Sequence, residues 1–181
     1  MESIITDILT LARQGDAVGE VETVDLSACV DDAWRNVDTD AARLRRDDDL
    51  GTVRADRGRL QQLFENLFRN CVEHGSTDSR PSADDGAEHG STASRSDDAD
   101  PLVTVRVGRL DREAGFYVAD DGPGIPADRR EHVFEYGHSS TDDGTGIGLA
   151  VVERIARAHG WEITAVESVD GGARFDVAIE R

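Results

Sequence analysis

The sequence predicts a two-layer α/β sandwich in which helices cover one face of a mixed, mostly antiparallel sheet. Three observations predict it. Apolar residues recur at helical spacing in several separate stretches. Two pairs of short segments alternate apolar and polar residues across tight turns. Glycine-rich loops separate these elements so that their mouths can face one crevice. A chain of 181 residues is long enough to bury one real core.

The elements follow in order. Ile4, Ile5, Ile8, Leu9, Leu11 and Ala12 form one apolar stripe ended by Gly15. A helix that short is marginal alone and must pack on something else, so 1–15 separates from the domain proper, 16–181. Glu20 to Leu26 alternates as a strand, and Ser27 is placed to cap a helix running to Val37. The acidic run Asp47 to Asp49 reads as a turn between short extended pieces, and Asp56 precedes a helix from about Arg57 to His74. Leu102 to Leu110 and Phe116 to Asp120 read as a hairpin. A Gly/Pro/Asp loop follows, then a short helix near Asp128 to Phe134 and a second Gly-rich loop. A helix from about Gly146 to His159 stops at Gly160, and Trp161 to Glu167 with Ala173 to Ile179 make the last strand pair. Residues 75–101 break this pattern: Ser, Asp, Gly and Ala dominate, which predicts a polar, disordered insertion. Within it Glu73 to Thr77 recurs as Glu88 to Thr92, with no helix before the second copy, so His89 is set aside.

Charge excludes several chemistries. The formal net charge is −18 and every basic residue is arginine. Such a surface repels nucleic acid and anionic membranes. Without lysine there is no P-loop, no protein-kinase strand lysine and no pyridoxal Schiff base. The composition resembles that of halophilic archaeal proteins, where strong salt screens self-repulsion. No stretch reaches the roughly 18 to 20 apolar residues of a membrane-spanning helix, and the N-terminus lacks a secretory pattern; a cytoplasmic chain without membrane insertion is expected. Cys29 and Cys71 lie in apolar helical patterns and read as small core residues.

Three constellations carry chemistry. In the helix ending at His74, Asn66 and Asn70 stand four apart on the margin of the apolar stripe. Asparagine is unfavourable inside helices, whereas a neutral amide oxygen can hold Mg²⁺ without cancelling its charge; solvated or capping asparagines are the alternative. Asp120 ends a strand before Asp121-Gly122-Pro123-Gly124-Ile125. An ionised carboxylate there can accept from the exocyclic amine of adenine and leaves guanine unsatisfied; an acidic Gly-Pro turn is the alternative. Gly144-Thr145-Gly146-Ile147-Gly148-Leu149 opens a helix, where bare amides suit a phosphate.

In order and spacing these stretches resemble the N, G1 and G2 boxes of the GHKL (Bergerat-fold) ATP-binding superfamily, and specifically its sensor histidine kinases. Leu63-Phe64-Glu65-Asn66-Leu67-Phe68-Arg69-Asn70 is similar to the kinase N box, Val133-Phe134-Glu135 to the F box, and Gly144 to Gly160 to the G2 region. The resemblance implies ATP and Mg²⁺ as cofactors, with Asn70 the metal ligand and Asn66 beside it as the second catalytic asparagine. It implies ATP contacts at His74, Asp120, Gly122, Gly124, Ile125, Thr141, Gly144, Thr145, Gly146, Ile147, Gly148 and Leu149, with Pro126 to Asp143 as a mobile lid. It makes 1–15 the tail of a dimerisation helix, through which a homodimer would form. A response regulator would act downstream.

Departures from the pattern matter as well. His74 stands where a tyrosine is frequent, Glu73 where a basic residue is frequent, and 137–144 contains no arginine for the γ-phosphate. Glu73 would repel phosphate and is expected to face solvent. None of the five histidines, His74, His89, His132, His138 and His159, has the acceptor context of a sensor kinase. The expected function is therefore transfer of the γ-phosphoryl group to a histidine outside this chain. The alternative is a nucleotide-binding regulatory module without transfer.

Overall fold

Alternation along the strands decides which face each residue takes, and it decides the layers. The computed structural model describes residues 18–39, 42–75, 103–135 and 147–179. The stripe of 1–15, the insertion beyond Gly75, and Thr141 to Gly146 lie outside them. The strands are β1 (Glu22–Asp25), β2 (Ala42–Arg46), β3 (Thr52–Ala55), β4 (Val103–Arg109), β5 (Gly115–Asp120), β6 (Trp161–Glu167) and β7 (Ala173–Ile179). The helices are α1 (Leu26–Arg35), α2 (Arg57–Gly75) and α3 (Gly148–Ala158). Five strands form one sheet in the order β2-β4-β5-β7-β6, parallel between β2 and β4 and antiparallel elsewhere. A separate two-stranded sheet pairs β1 with β3, a division the sequence pattern does not predict. The fold is the expected mixed, mostly antiparallel sandwich.

Val105, Val107, Phe116, Val118, Phe175 and Val177 are buried on the helix-covered face. Arg106, Tyr117, Arg174 and Asp176 lie between them in sequence and share the opposite face, where the Arg174 guanidinium sits 4.0 Å over the Tyr117 ring. Aromatic rings thread the core from α1 to the last strands. Trp34 meets Phe68 edge-on at 5.2 Å, Phe68 stacks on Phe64, Phe64 contacts Phe116 at 4.9 Å, and Phe116 meets Trp161. Each such pair adds about 0.5–1.5 kcal/mol beyond area burial.

Element ends follow local chemistry, and two differ from the sequence reading. The cap of α1 is Asp25, not Ser27: its carboxylate accepts from the Ala28 amide at 2.9 Å, so the helix begins two residues earlier. The segment near Asp128 to Phe134 is a series of tight turns, not a helix. The amides of Arg129, His132 and Glu135 each reach back three residues, to Pro126, Arg129 and His132. It offers only Val133 and Phe134 to the core, too little apolar surface to hold a helical face. Asp56 caps α2 by accepting from the Arg59 amide at 3.1 Å and also takes the Gly19 amide at 2.9 Å. α3 ends at His159, with Gly160 at φ +72° behind it.

Candidate functional site

α2 is the spine of the site. Its stripe of Leu60, Leu63, Phe64, Leu67, Phe68 and Cys71 is buried against the sheet, and the residues on the stripe's margin emerge beside two glycine loops. Asn66 and Asn70 are both half-buried. The Asn66 amide nitrogen donates to the Gln62 carbonyl one turn back at 2.8 Å, which fixes the amide plane and turns Oδ1 away from the backbone. That oxygen lies against the start of α3, where a Cβ added to Gly148 would stand 3.4 Å from it. Asn70 follows one turn further on along the same margin, half-buried. Ile147 is buried and Leu149 packs on the core; they anchor the first turn of α3. No side chain caps that turn, so its leading amides stay open to an anion.

Asp120 owes its place to strand alternation. It is in phase with Phe116 and Val118 and so faces α2 from the end of β5, at 6 % exposure. Its Oδ1 accepts from the Gly122 amide at 2.9 Å and the Ala173 amide at 3.1 Å. Burial pushes this carboxyl above the usual carboxylate range, opposed by those two amides and by the Cys71 thiol. Asp121, one residue on, points the other way and accepts from the Thr104 amide at 2.7 Å; it pins β4 to the loop. Of the two carboxylates only Asp120 is buried at the loop's mouth.

Close backbone approach explains the glycines. A Cβ at Gly122 would lie 2.9 Å from the Gly75 Cα, and Gly124 has φ +77° with the Gly171 carbonyl 2.9 Å from where its Cβ would be. A Cβ at Gly172 would collide with Asp120 itself, so Gly172 is a site residue the sequence reading misses. The double glycine before the last strand is the signal that could have found it. Ile125 packs on the core beside them, and its carbonyl accepts from Arg130 Nε at 2.8 Å. The structure thus brings Asn66 to Gly148, and the C-terminal turn of α2 to Asp120 and Gly122. His74 is half-buried and already engaged by a neighbour, while Glu73 is exposed. Thr141, Gly144, Thr145 and Gly146 lie outside the described residues.

The chain has relatives among known proteins. A family model for histidine kinase-, DNA gyrase B- and HSP90-like ATPases matches residues 55–181. The signal transduction histidine-protein kinase AfsQ2 of Streptomyces coelicolor is 32 % identical over 88 % of this chain and 26 % of its own length. The adaptive-response sensory kinase SasA of a Nostoc species is 31 % identical over 70 % of the chain and 27 % of its own length. The chain therefore spans about a quarter of the length of these two relatives. Among solved structures, full-length ShkA in complex with AMPPNP superposes with a TM-score of 0.61 at 26 % identity, over 98 % of this chain and 36 % of that one. The mycobacterial sensor histidine kinase MprB superposes with a TM-score of 0.61 at 20 % identity, over 88 % of this chain and 97 % of that one.

Proposed function

Because this chain belongs to the histidine kinase-, DNA gyrase B- and HSP90-like ATPase family, we propose that it binds ATP with Mg²⁺ and transfers the γ-phosphoryl group to a histidine on a dimerisation domain. The observation that supports this best is the convergence on α2: an asparagine at the bare start of α3 and a buried carboxylate between glycine loops at the helix end. Kinase relatives favour transfer over a purely regulatory nucleotide switch, and the AMPPNP complex of ShkA favours an adenine nucleotide.

The residues fit the magnesium that this reading requires. Among the described residues no cluster of three or more His, Cys, Asp or Glu is disposed to hold an ion, so a metal would have to arrive with phosphate oxygens. The Asn70 amide, half-buried, is a neutral oxygen donor suited to such an ion. When bound, Mg²⁺ supplies charge neutralisation at the transferring phosphoryl group. Asn70 would hold it, Asn66 would orient the phosphates, and the amides opening α3, with Thr141, Gly144, Thr145 and Gly146, would meet their charge. Asp120 would accept from adenine, with Gly122, Gly124 and Ile125 lining the pocket and His74 at its rim.

Residues 1–15 serve as the end of a dimerisation helix and a homodimer contact, 16–181 as the catalytic domain, and the acceptor histidine and response regulator reside elsewhere. No helix among the described residues is long and apolar enough to cross a membrane, in keeping with a cytoplasmic, salt-adapted protein. Incubation of the chain with γ-labelled ATP, Mg²⁺ and a dimerisation domain from its own signalling system tests transfer. Acid-labile label on that domain's histidine is the expected result. Tight ATP binding with no label on any partner would replace transfer with the regulatory reading.

A further inference from the structure

Two loops wall the buried Asp120 carboxylate. One is Gly122 to Ile125, after β5; the other is the turn Ser168 to Gly172, between β6 and β7. They meet at close quarters: a Cβ at Gly124 would lie 2.9 Å from the Gly171 carbonyl, and one at Gly172 would strike Asp120. Asp120 ties the walls from within, accepting from the Gly122 and Ala173 amides. The second wall is braced in itself. The Ser168 amide donates to the Gly172 carbonyl at 2.8 Å, and Asp170 pairs with Arg106 of β4 at 3.1 Å. From outside, a single guanidinium spans both walls. Arg130 Nε donates to the Ile125 carbonyl at 2.8 Å, and another of its nitrogens reaches Glu167, the residue before the turn, at 3.2 Å.

We propose that Arg130 is a positioning residue for base recognition: by holding the Ile125 carbonyl and the end of β6 together, it fixes the spacing of the two walls around Asp120. This rests on the reading of Asp120 as the adenine sensor. Arg130 is suited to the task because its own segment is anchored. The tight turns that carry it run on to Phe134, which is buried with its ring edge-on to Phe175 at 6.3 Å. The two limbs of the clamp are unequal. The Arg130 side chain is 26 % exposed but that of Glu167 is 65 % exposed, so salt screens the ion pair and it contributes little. The bond from a charged donor to the Ile125 carbonyl is the stronger limb. Discrimination between bases is the property most sensitive to wall spacing, because a hydrogen bond weakens steeply once its geometry is lost.

The test titrates ATP and GTP calorimetrically, with Mg²⁺ and in constant strong KCl. The proteins are wild type, Arg130→Ala, Arg130→Lys, Asp120→Asn and the double variant of Arg130→Ala with Asp120→Asn, and the melting temperature of each is recorded. Arg130→Ala should weaken ATP binding about three- to tenfold and GTP binding by less, narrowing the preference for ATP. Added to Asp120→Asn it should change the ATP-to-GTP ratio no further, because the two act on one recognition event. Arg130→Lys keeps the charge and a donor but not the planar fork, and should fall between wild type and Arg130→Ala. A general loosening of the domain, or a long-range charge effect, would lower ATP and GTP affinity by the same factor; that outcome overturns the inference. If Asp120→Asn loses ATP while Arg130→Ala binds it as wild type does, only the role of Arg130 falls. If Asp120→Asn binds ATP undiminished, the adenine reading falls and takes this inference with it.

Discussion

At the scale of single residues the site turns on two side chains that a core would ordinarily reject. Asp120 occupies a helix-facing strand position, and its ionised form is disfavoured by burial. Asp120→Asn keeps an acceptor for the Gly122 and Ala173 amides and removes the buried charge. The variant should therefore fold with stability within about 1 kcal/mol of wild type or above it. It should nevertheless lose at least tenfold in ATP affinity and most of its preference for ATP over GTP, since a carboxamide can present a donor to the base. Thermal melting together with calorimetry reads both quantities, and unchanged ATP affinity would reject the role. Asn70 is the complementary case. It is half-buried on the margin of the stripe rather than in the core, so Asn70→Ala should cost little stability but abolish the gain in nucleotide affinity that Mg²⁺ confers. Equal ATP affinity with and without Mg²⁺ in the wild type would count against a metal-linked Asn70.

Among the elements, α2 and α3 matter most because they carry opposite sides of the crevice, and one histidine joins them. His159 Nε2 accepts from the Asp56 amide at 3.1 Å, its Nδ1 lies 2.8 Å from the Ile155 carbonyl, and its ring stacks 4.5 Å over Trp161. The end of α3 is thereby fastened to the start of α2. Asp56 completes the joint as the cap of α2. Burial pushes its carboxyl up, but the amides of Arg59, Gly19 and Gly58 and the Arg59 charge outweigh it, leaving it below the ordinary carboxylate value. A depressed carboxyl contributes stability above its unfolded value and loses it as pH falls through the folded one. Asp56→Ala should accordingly cost about 1–2 kcal/mol at neutral pH, with the gap from wild type closing in acid. Urea titrations at neutral and acidic pH measure this, and a gap that stays constant would show the cap acts without its charge. The same elements show what was legible. The β4–β5 hairpin, α2 and the C-terminal strand pair announce themselves through periodicity, because packing on one face demands it. Asp25 and Ser27 are equally good caps in sequence, and only the strand's end decides between them. At 127–134 a helix and successive three-residue turns present the same local apolar spacing, so the sequence does not separate them. The facing of Asp120 toward α2 is implicit in the alternation from Phe116, but α2 meets β5 only in three dimensions.

For the whole molecule the governing quantity is charge. Thirty-eight acidic against twenty basic residues leave −18 on 181 residues, and the described ion pairs are mostly at the surface, such as Arg57–Asp32 at 2.7 Å and Arg157–Glu153 at 2.7 Å. Pairs of this kind contribute roughly 0–1 kcal/mol each, so they do not offset the repulsion among the unpaired carboxylates. The burden falls on solvent ions. At about 0.1 M salt repulsion reaches across roughly 10 Å, and at about 1 M it is confined to roughly 3 Å. A compact state carrying this excess should gain stability steeply over that range, whereas the unfolded chain, with its charges already spread, gains less. The buried ring column and valine-rich sheet supply a salt-insensitive base, so the protein is expected to fold in dilute buffer with a lowered melting temperature rather than not at all. The midpoint of thermal unfolding in KCl should rise by several degrees or more between those concentrations, and an uncharged osmolyte at equal osmotic strength should not reproduce the rise. ATP binding should strengthen over the same interval, because a tetra-anionic nucleotide approaching so acidic a surface meets the same unscreened field. A melting temperature and an ATP affinity both indifferent to KCl would mean that the acidic surface is electrostatically silent, and would remove the basis for proposing a salt-adapted protein.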